Sequence, residues 1–301
     1  MNRRQFLRMG LLGALGALAG GSAYAAWLEP RWPEVVGWDV PISRLSPALD
    51  GLIIAQLSDL HVGPHAGPGH VRRAVALLNG LKPDLVALTG DYVLHSADYG
   101  IPCAEALALL DAPLGAYGVL GNHDIWEGAE QVADALSAHG IRLLRQGAHV
   151  VSRGGARLWL VGVDDAGYTA MSSMAGGAGE AGQRGFARHW QGARDALVSL
   201  LADIPAAEPR IVLAHNPDLA EMLARADVDL LLAGHTHGGQ VRLPLLGPPV
   251  VPSAFGPKYA AGWAQNSPVR TYVNRGLGTI TPAVRLNCRP EITLFRLCCK
   301  R

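Results

Sequence analysis

The sequence has almost no excess of charge of either sign. Its 301 residues carry 26 basic and 25 acidic side chains, a formal net charge of +1. That balance gives no support for a nucleic-acid groove, where a basic excess would be expected, and no nucleic-acid partner is expected. Cysteine is scarce: only Cys103, Cys288, Cys298 and Cys299 occur. Their spacing matches no zinc motif, and an adjacent pair does not suggest a simple disulfide framework. They read as structural or incidental. No H-E-x-x-H is present, which argues against the common zinc-protease helix. Gly238-Gly239-Gln240 follows His237, so the H-x-H-x-D-H pattern of metallo-β-lactamases is absent too. There is no internal repeat and no convincing domain boundary after residue 50. A chain of this length can form one α/β domain with a large core.

A strongly apolar long run is also lacking. Residues 9–28 are uncharged, but Gly10, Gly13, Gly16, Gly20 and Gly21 break the stretch. Before it stand Arg3-Arg4-Gln5-Phe6-Leu7 and Arg8, a pattern that looks like a twin-arginine export signal. Ala23-Tyr24-Ala25 offers a small-residue cleavage site. Residues 1–26 are therefore read as a signal for the twin-arginine machinery or as a membrane anchor, since twenty uncharged residues can just span a bilayer. The expected location is exported: periplasmic, or on the outer face of the inner membrane. Membrane association through residues 9–28 goes with the anchor reading.

Glycine and proline, at 37 and 20 residues, are plentiful and imply many tight loops. Between them the chain alternates short apolar runs with segments of helical period. Residues 27–50 read as a Pro-rich lead-in, and 51–301 as the folded domain. Buried strands are expected at 52–57, 85–88, 117–120, 210–214 and 228–233, and closing strands at 271–274 and 291–297. Short strands are expected near Ile141, His149 and Leu158. Helices are expected at 71–81, 104–110, 128–139, 186–201 and 217–225. Residues 171–185 read as a Gly-rich loop, and 244–268 as a long Pro/Gly loop. A βαβ rhythm predicts parallel strands with crossover helices, and in such sheets ligands collect beyond the carboxyl ends of strands.

Polar clusters lie at just those ends: Asp59 and His61, Asp91, Asn122 and His123, His215, then His235 and His237. In extended chain, residues two apart project to one side, so each D-x-H or H-x-H pair offers two side chains to one place. Neutral imidazole is the commonest metal-ligating side chain. A single such feature can be a helix cap, a turn or an exposed His. Five of the eleven histidines and a Gly-flanked Asp at one topological edge point instead to a shared metal site.

Taken together, D-x-H, G-D, G-N-H-D, a later His and G-H-T-H resemble the calcineurin-like metallophosphoesterase superfamily. The resemblance covers nearly all of residues 52–297. The stretches Val273-Asn274-Arg275-Gly276-Leu277-Gly278 and Cys288-Arg289-Pro290-Glu291-Ile292 are similar to a bacterial, often exported branch. Many relatives carry an acid shortly after the G-D pair, where this chain has Tyr92-Val93-Leu94-His95; that acid is not a ligand in the family. The resemblance implies an α/β fold, a four-layer αββα sandwich of two mixed β-sheets. It implies two divalent transition-metal ions, Mn, Zn or Fe, one held by Asp59, His61, Asp91 and His237, the other by Asp91, Asn122, His215 and His235. A bridging carboxylate can hold two ions about 3.5–4 Å apart, and mixed N/O donors suit these metals better than Mg or Ca. Two ions, two carboxylates and a bridging hydroxide leave about +1, which favours an anionic phosphate.

The implied activity is hydrolysis of a phosphodiester, phosphomonoester or pyrophosphate by a metal-bridging hydroxide. The expected substrate is a phosphorylated small molecule or lipid-linked compound of the cell envelope. His123 would face the substrate and stabilise the transition state or protonate the leaving oxygen. Asp124 would orient it or support a neighbouring loop, or act as a simple helix-start carboxylate. Arg275 and Lys258 would meet the phosphate or play structural parts. Two further readings remain: a pyrophosphatase acting on UDP-2,3-diacylglucosamine in lipid A synthesis, and a metal-stabilised binding scaffold without turnover.

Overall fold

The computed structural model describes residues 2–167, 180–223 and 228–300. Two mixed β-sheets carry the fold. The first orders its strands β1 (Glu34–Ile42), β12 (Glu291–Cys299), β2 (Ile53–Leu57), β3 (Leu85–Leu88), β4 (Ala116–Gly118) and β5 (Arg142–Leu143). Within it β12 runs antiparallel to β2, and the other neighbours are parallel. The second orders β10 (Gly262–Trp263), β11 (Thr271–Val273), β9 (Leu230–Ala233), β8 (Arg210–Ala214), β7 (Ala156–Val163) and β6 (Gly147–Arg153). Here β11, β9, β8 and β7 are parallel and the two edge strands antiparallel.

Three apolar layers follow from the alternation of side chains along these strands. On β3, Leu85 and Ala87 enter the space between the sheets, whereas Val86 and Leu88 face the helices α2 (Pro68–Gly80), α3 (Gly100–Leu107) and α4 (Asn122–Ala138). On β9, Leu230 and Leu232 join that central layer, while Leu231 and Ala233 pack with Phe186, Trp190 and Leu197 of α5 (Glu180–Ala202). Both sheets are covered on both faces, which is why their central strands read as unbroken apolar runs. The result is the expected stacking of helix, sheet, sheet, helix.

Several elements differ from the sequence reading. Part of the Pro-rich lead-in is the nine-residue edge strand β1, paired in parallel along its length with β12. Val35 and Trp38 stay exposed on it, so no buried run marked it. The helix expected at 128–139 starts at Asn122, with Gly128 as a kink at φ 143°, so Asn122, His123 and Asp124 occupy its first turn. Residues 180–185 are helical, not loop; the rest of that Gly-rich stretch, 171–179, lies outside the described residues. Residues 217–222 form a 3-10 turn (Pro217–Met222), and positions 224–225 of the helix expected there also lie outside.

The N-terminal residues Arg3–Ala23 form the helix α1, and Tyr24–Leu28 and Glu29–Arg31 continue it as a π turn and a 3-10 turn. Among the described residues no helix is long and apolar enough to cross a membrane. The segment is tied to the domain. Buried Glu29 accepts the backbone N–H of Asn287 (3.0 Å) and of Cys288, and the Ala25 carbonyl accepts Arg285 N–H at 2.9 Å. The four cysteines are free thiols.

Candidate metal centre

The polar strand ends converge where the two sheets meet. Asp59 and His61 follow β2, Asp91 follows β3, and Asn122 opens α4 after β4. His215 follows β8, and His235 and His237 follow β9. All seven are buried. The pairs do not reach one place by extended geometry, as the two-residue spacing suggests. Asp59, His61, Asp91, His235 and His237 all hold left-handed backbone, with φ between 45° and 72°. That conformation costs of order 1–3 kcal/mol for a residue with a side chain. The surroundings impose it: Asp59 N–H is held by Gly90 O, His61 N–H by Asp91 O, and Gly278 N–H binds Asp59 O at 2.6 Å.

One set of donor atoms gathers around Asp59. His61 Nε2 and His237 Nε2 are 3.0 Å apart, and Asp59 Oδ1 is 3.2 Å from His237 Nε2 and 3.9 Å from His61 Nε2. A second set gathers around His215. Its Nε2 lies 3.1 Å from Asp91 Oδ2 and 3.3 Å from His235 Nδ1, which is 2.8 Å from Asn122 Oδ1. Asp91 Oδ2 is also 3.5 Å from His61 Nε2, so this one oxygen borders both sets.

The protonation of the cluster shows that it fits a cation. His215 Nδ1 is 2.7 Å from the Thr89 carbonyl, which can only accept, so that nitrogen carries a proton. The His215 Nε2 lone pair would then face a carboxylate oxygen, an arrangement that needs a positive centre between them. The surroundings favour positive charge there: burial opposes it, but Asp91 and Asp59 push His215 up to about 10. Burial acts on Asp91 in the opposite sense, yet His215 and the other imidazoles hold its carboxyl well below the usual range. Burial pushes His61 down to about 3, and burial with the His215 charge does the same to His235. Burial also holds His237 well below its ordinary value and lifts Asp59 to about 6. Neutral imidazoles with facing lone pairs are ready ligands. Tetrahedral zinc with N or O donors near 2.0–2.1 Å spaces its ligand atoms about 3.3 Å apart, close to the 2.8–3.3 Å separations here, with the 3.9 Å between Asp59 Oδ1 and His61 Nε2 the one longer.

His123 and Asp124 differ in their surroundings. The His123 ring stands edge-on to His61, with centroids 5.0 Å apart, and to Trp126 at 4.9 Å. It is half-buried at the mouth of the cluster, and its Nδ1 has no hydrogen-bond partner. His61, Asp91 and His123 also bring ligand atoms within 4.8 Å of one another. Asp124 is not placed to orient His123. It is fully buried, and its carboxylate accepts the backbone N–H of Asp91 (2.9 Å), Tyr92 (2.8 Å), Val93 (3.2 Å) and Gly121 (2.9 Å). It fixes the loop that presents Asp91.

Arg275 and Lys258 do not reach the cluster. Arg275 pairs with Glu291 and with Glu34 at 2.8 Å, and Lys258 pairs with Glu221. No pattern in the chain marks Arg285, whose buried guanidinium donates to the carbonyls of Arg275, Gly276, Gly278 and Cys288. These contacts shape the loop that carries Gly278, packed on His61. Nor does any pattern mark the tight contacts of glycine with the site: a Cβ at Gly234 would lie 1.9 Å from Ser58 Oγ and 2.3 Å from Asp59 Oδ2. Beside the cluster a cavity of about 480 Å³ is lined by Trp27, Arg31, His65, His70, Arg73 and Gly278, among others.

The chain is similar to several known proteins. Residues 52–239 match the family model described as calcineurin-like phosphoesterase. The chain is 33% identical over 305 residues to the uncharacterized metallophosphoesterase YkuE of Bacillus subtilis, covering 99% of this chain and 98% of that one. It is 31% identical over 301 residues to the phosphodiesterase YaeI of Escherichia coli, covering 99% of each. Among solved structures, a dimetal phosphatase from Danio rerio is similar at 11% identity and a TM-score of 0.43, covering 76% of this chain and 88% of that one.

Proposed function

This chain belongs to the calcineurin-like phosphoesterase family, and from that membership we propose a hydrolase that cleaves phosphate esters with two divalent transition-metal ions. The observation that carries the reading is Asp91 Oδ2, 3.1 Å from His215 Nε2 and 3.5 Å from His61 Nε2, a single carboxylate oxygen between two sets of N/O donors. Asp59, His61, Asp91 and His237 would hold one ion, and Asp91, Asn122, His215 and His235 the other. When bound, such ions activate a water and neutralise charge at phosphorus.

The protein's own groups do the rest. The Asp91 carboxylate bridges the two donor sets. The Thr89 carbonyl fixes the His215 tautomer, as partners of ligating histidines generally do. His123, at the mouth and backed by Trp126, faces the substrate and stabilises or protonates the leaving oxygen. A diester substrate is supported by the likeness to a protein named a phosphodiesterase.

The test is direct. Protein reconstituted with Mn or Zn is expected to hydrolyse bis-p-nitrophenyl phosphate and to bind about two ions per chain by elemental assay. Asp91→Asn is expected to lose both. Folded, metal-loaded protein with no turnover on any phosphate ester would favour a binding scaffold.

For location, Arg3-Arg4 and the uncharged stretch after them support export by the twin-arginine machinery to the periplasm or the outer face of the inner membrane. A cell-envelope phosphate ester is the matching substrate. An activity on UDP-linked diacylglucosamine needs a nucleotide made in the cytoplasm, so a topology reporter fused to the C-terminus separates the two.

A further inference from the structure

Two acid-free stretches meet beside the metal centre. Residues 230–290 contain no Asp or Glu and six basic residues, and residues 1–28 contain no acid and three arginines. Within the first stretch a tight turn, closed by the pairing of Leu243 with Gly247, lifts Leu245 and Leu246 into solvent at 105% and 82% exposure. Leu243 and Val250 beside them are exposed as well. Within the second, Trp27 and Leu28 are exposed at the end of the N-terminal helical rod.

Both apolar groups are anchored to one short segment, 285–288. On one side Ala25 O takes the Arg285 N–H and Glu29 takes those of Asn287 and Cys288. On the other, Val241 pairs with Leu286, Arg242 N–H binds Leu286 O at 2.8 Å, and Asn287 Nδ2 binds Arg242 O at 3.0 Å. The same segment touches the site, since the Cys288 thiol donates to the His237 carbonyl at 3.2 Å. Lys258 and Arg275 are paired with carboxylates and Arg285 is buried, so the cations left to act outward on this face are Arg31, Arg242 and Arg289. Arg31 donates to Trp27 O, and Arg289 covers the Trp32 ring at 4.1 Å. Among the described residues, neither these two nor Arg242 forms an ion pair with a carboxylate.

We propose that this face docks on an anionic lipid bilayer, with Leu245 and Leu246 inserted and Trp27 and Leu28 at the interface, so that the metal centre opens onto the headgroup layer. Exposed leucines at a turn tip, with an exposed tryptophan anchored to the same segment, offer apolar surface that a bilayer would cover. The absence of any carboxylate in both stretches, with arginines around them, selects a negatively charged surface. The proposal rests on the phosphoesterase reading for its consequence: the substrate class would be phosphate esters of membrane lipids or lipid-linked headgroups.

The experiment is vesicle co-sedimentation of the full chain on phosphatidylcholine alone and on phosphatidylcholine with about 30% phosphatidylglycerol. Hydrolysis of soluble bis-p-nitrophenyl phosphate is followed in parallel. Binding is expected on the anionic vesicles only and should weaken with salt. Leu245→Ser/Leu246→Ser is expected to reduce it tenfold or more, and Arg242→Gln by a smaller factor that vanishes at high salt. Soluble turnover should be unchanged in each, so loss of the phosphoesterase reading shows separately, as no turnover in the wild type. Equal vesicle binding by wild type and the double serine variant overturns the proposal. So does a wild-type dimer, seen by sedimentation equilibrium without lipid, that the same substitution dissolves, because the face then holds a second copy of the chain.

Discussion

The carboxylate of Asp124 accepts the backbone N–H of Asp91 at 2.9 Å, and three further N–H groups close around it. A side chain in the first turn of α4 thus sets where the shared carboxylate of the metal centre stands. Partners of metal ligands typically change affinity 10–100-fold when removed. Asp124→Ala is expected to weaken metal binding by about that factor, and to leave several buried N–H groups unpaired, at about 1–3 kcal/mol each. Metal titration with thermal melting checks both. Unchanged affinity in a folded variant would show that the Asp91 loop holds itself.

His123→Ala tests the part assigned to the imidazole at the mouth. Turnover on bis-p-nitrophenyl phosphate is expected to fall by about 10²–10⁴, the usual contribution of general acid–base groups, with metal content retained. Because His123 has a ligand atom near those of His61 and Asp91, elemental assay is the deciding measurement. Loss of an ion in this variant would make His123 a ligand.

Gly234 is one of the positions where the backbone approaches the site tightly. A methyl group there would overlap Ser58 Oγ and Asp59 Oδ2. Forcing an atom into packed surroundings costs about 1–3 kcal/mol or more. Gly234→Ala is expected to lower the melting temperature and to impair the set of donors around Asp59 before the set around His215. A loss of about one ion per chain, leaving the other, would be the signature by elemental assay.

Away from the metal centre, Asp218 supplies a pH dependence. It is buried, and its oxygens accept Ser253 Oγ–H at 2.5 Å and Ala254 N–H at 2.7 Å. Burial pushes its carboxyl up to about 7. A folded value above the unfolded one means that the native state binds the proton more tightly. Its contribution to stability is therefore full below pH 4 and is lost as pH rises from about 4 to 7. Asp218→Asn removes the titration, so the difference in melting temperature between variant and wild type should grow in the variant's favour over that window. A difference that does not change with pH would refute the assignment.

Much of this was open to reading from the chain. Strands covered on both faces, such as β2, β3, β8 and β9, announce themselves as apolar runs, and the site residues stand just after them. What the chain hid was of two kinds. Backbone conformation at Asp59, His61, Asp91, His235 and His237 is left-handed, which no two-residue spacing reveals, because the strain is imposed by contacts from distant loops. The contacts that fix those loops are themselves remote: Glu29 to residues 287 and 288, Asp124 to the Asp91 loop, Arg285 to the carbonyls around Gly276. β1 was missed for a simpler reason: only Val40 and Ile42 at its far end are buried, while Val35 and Trp38 are exposed, so the alternation is too short to read.

The donor atoms come from both halves of the sandwich, Asp59, His61, Asp91 and Asn122 from the first sheet and His215, His235 and His237 from the second. Any cation held there rivets one sheet to the other. Its affinity then adds to the cohesion of the fold by mass action, about 2.7 kcal/mol when free metal stands a hundredfold above its dissociation constant. Metal supply would govern how long each molecule survives proteases, as well as how fast it turns over.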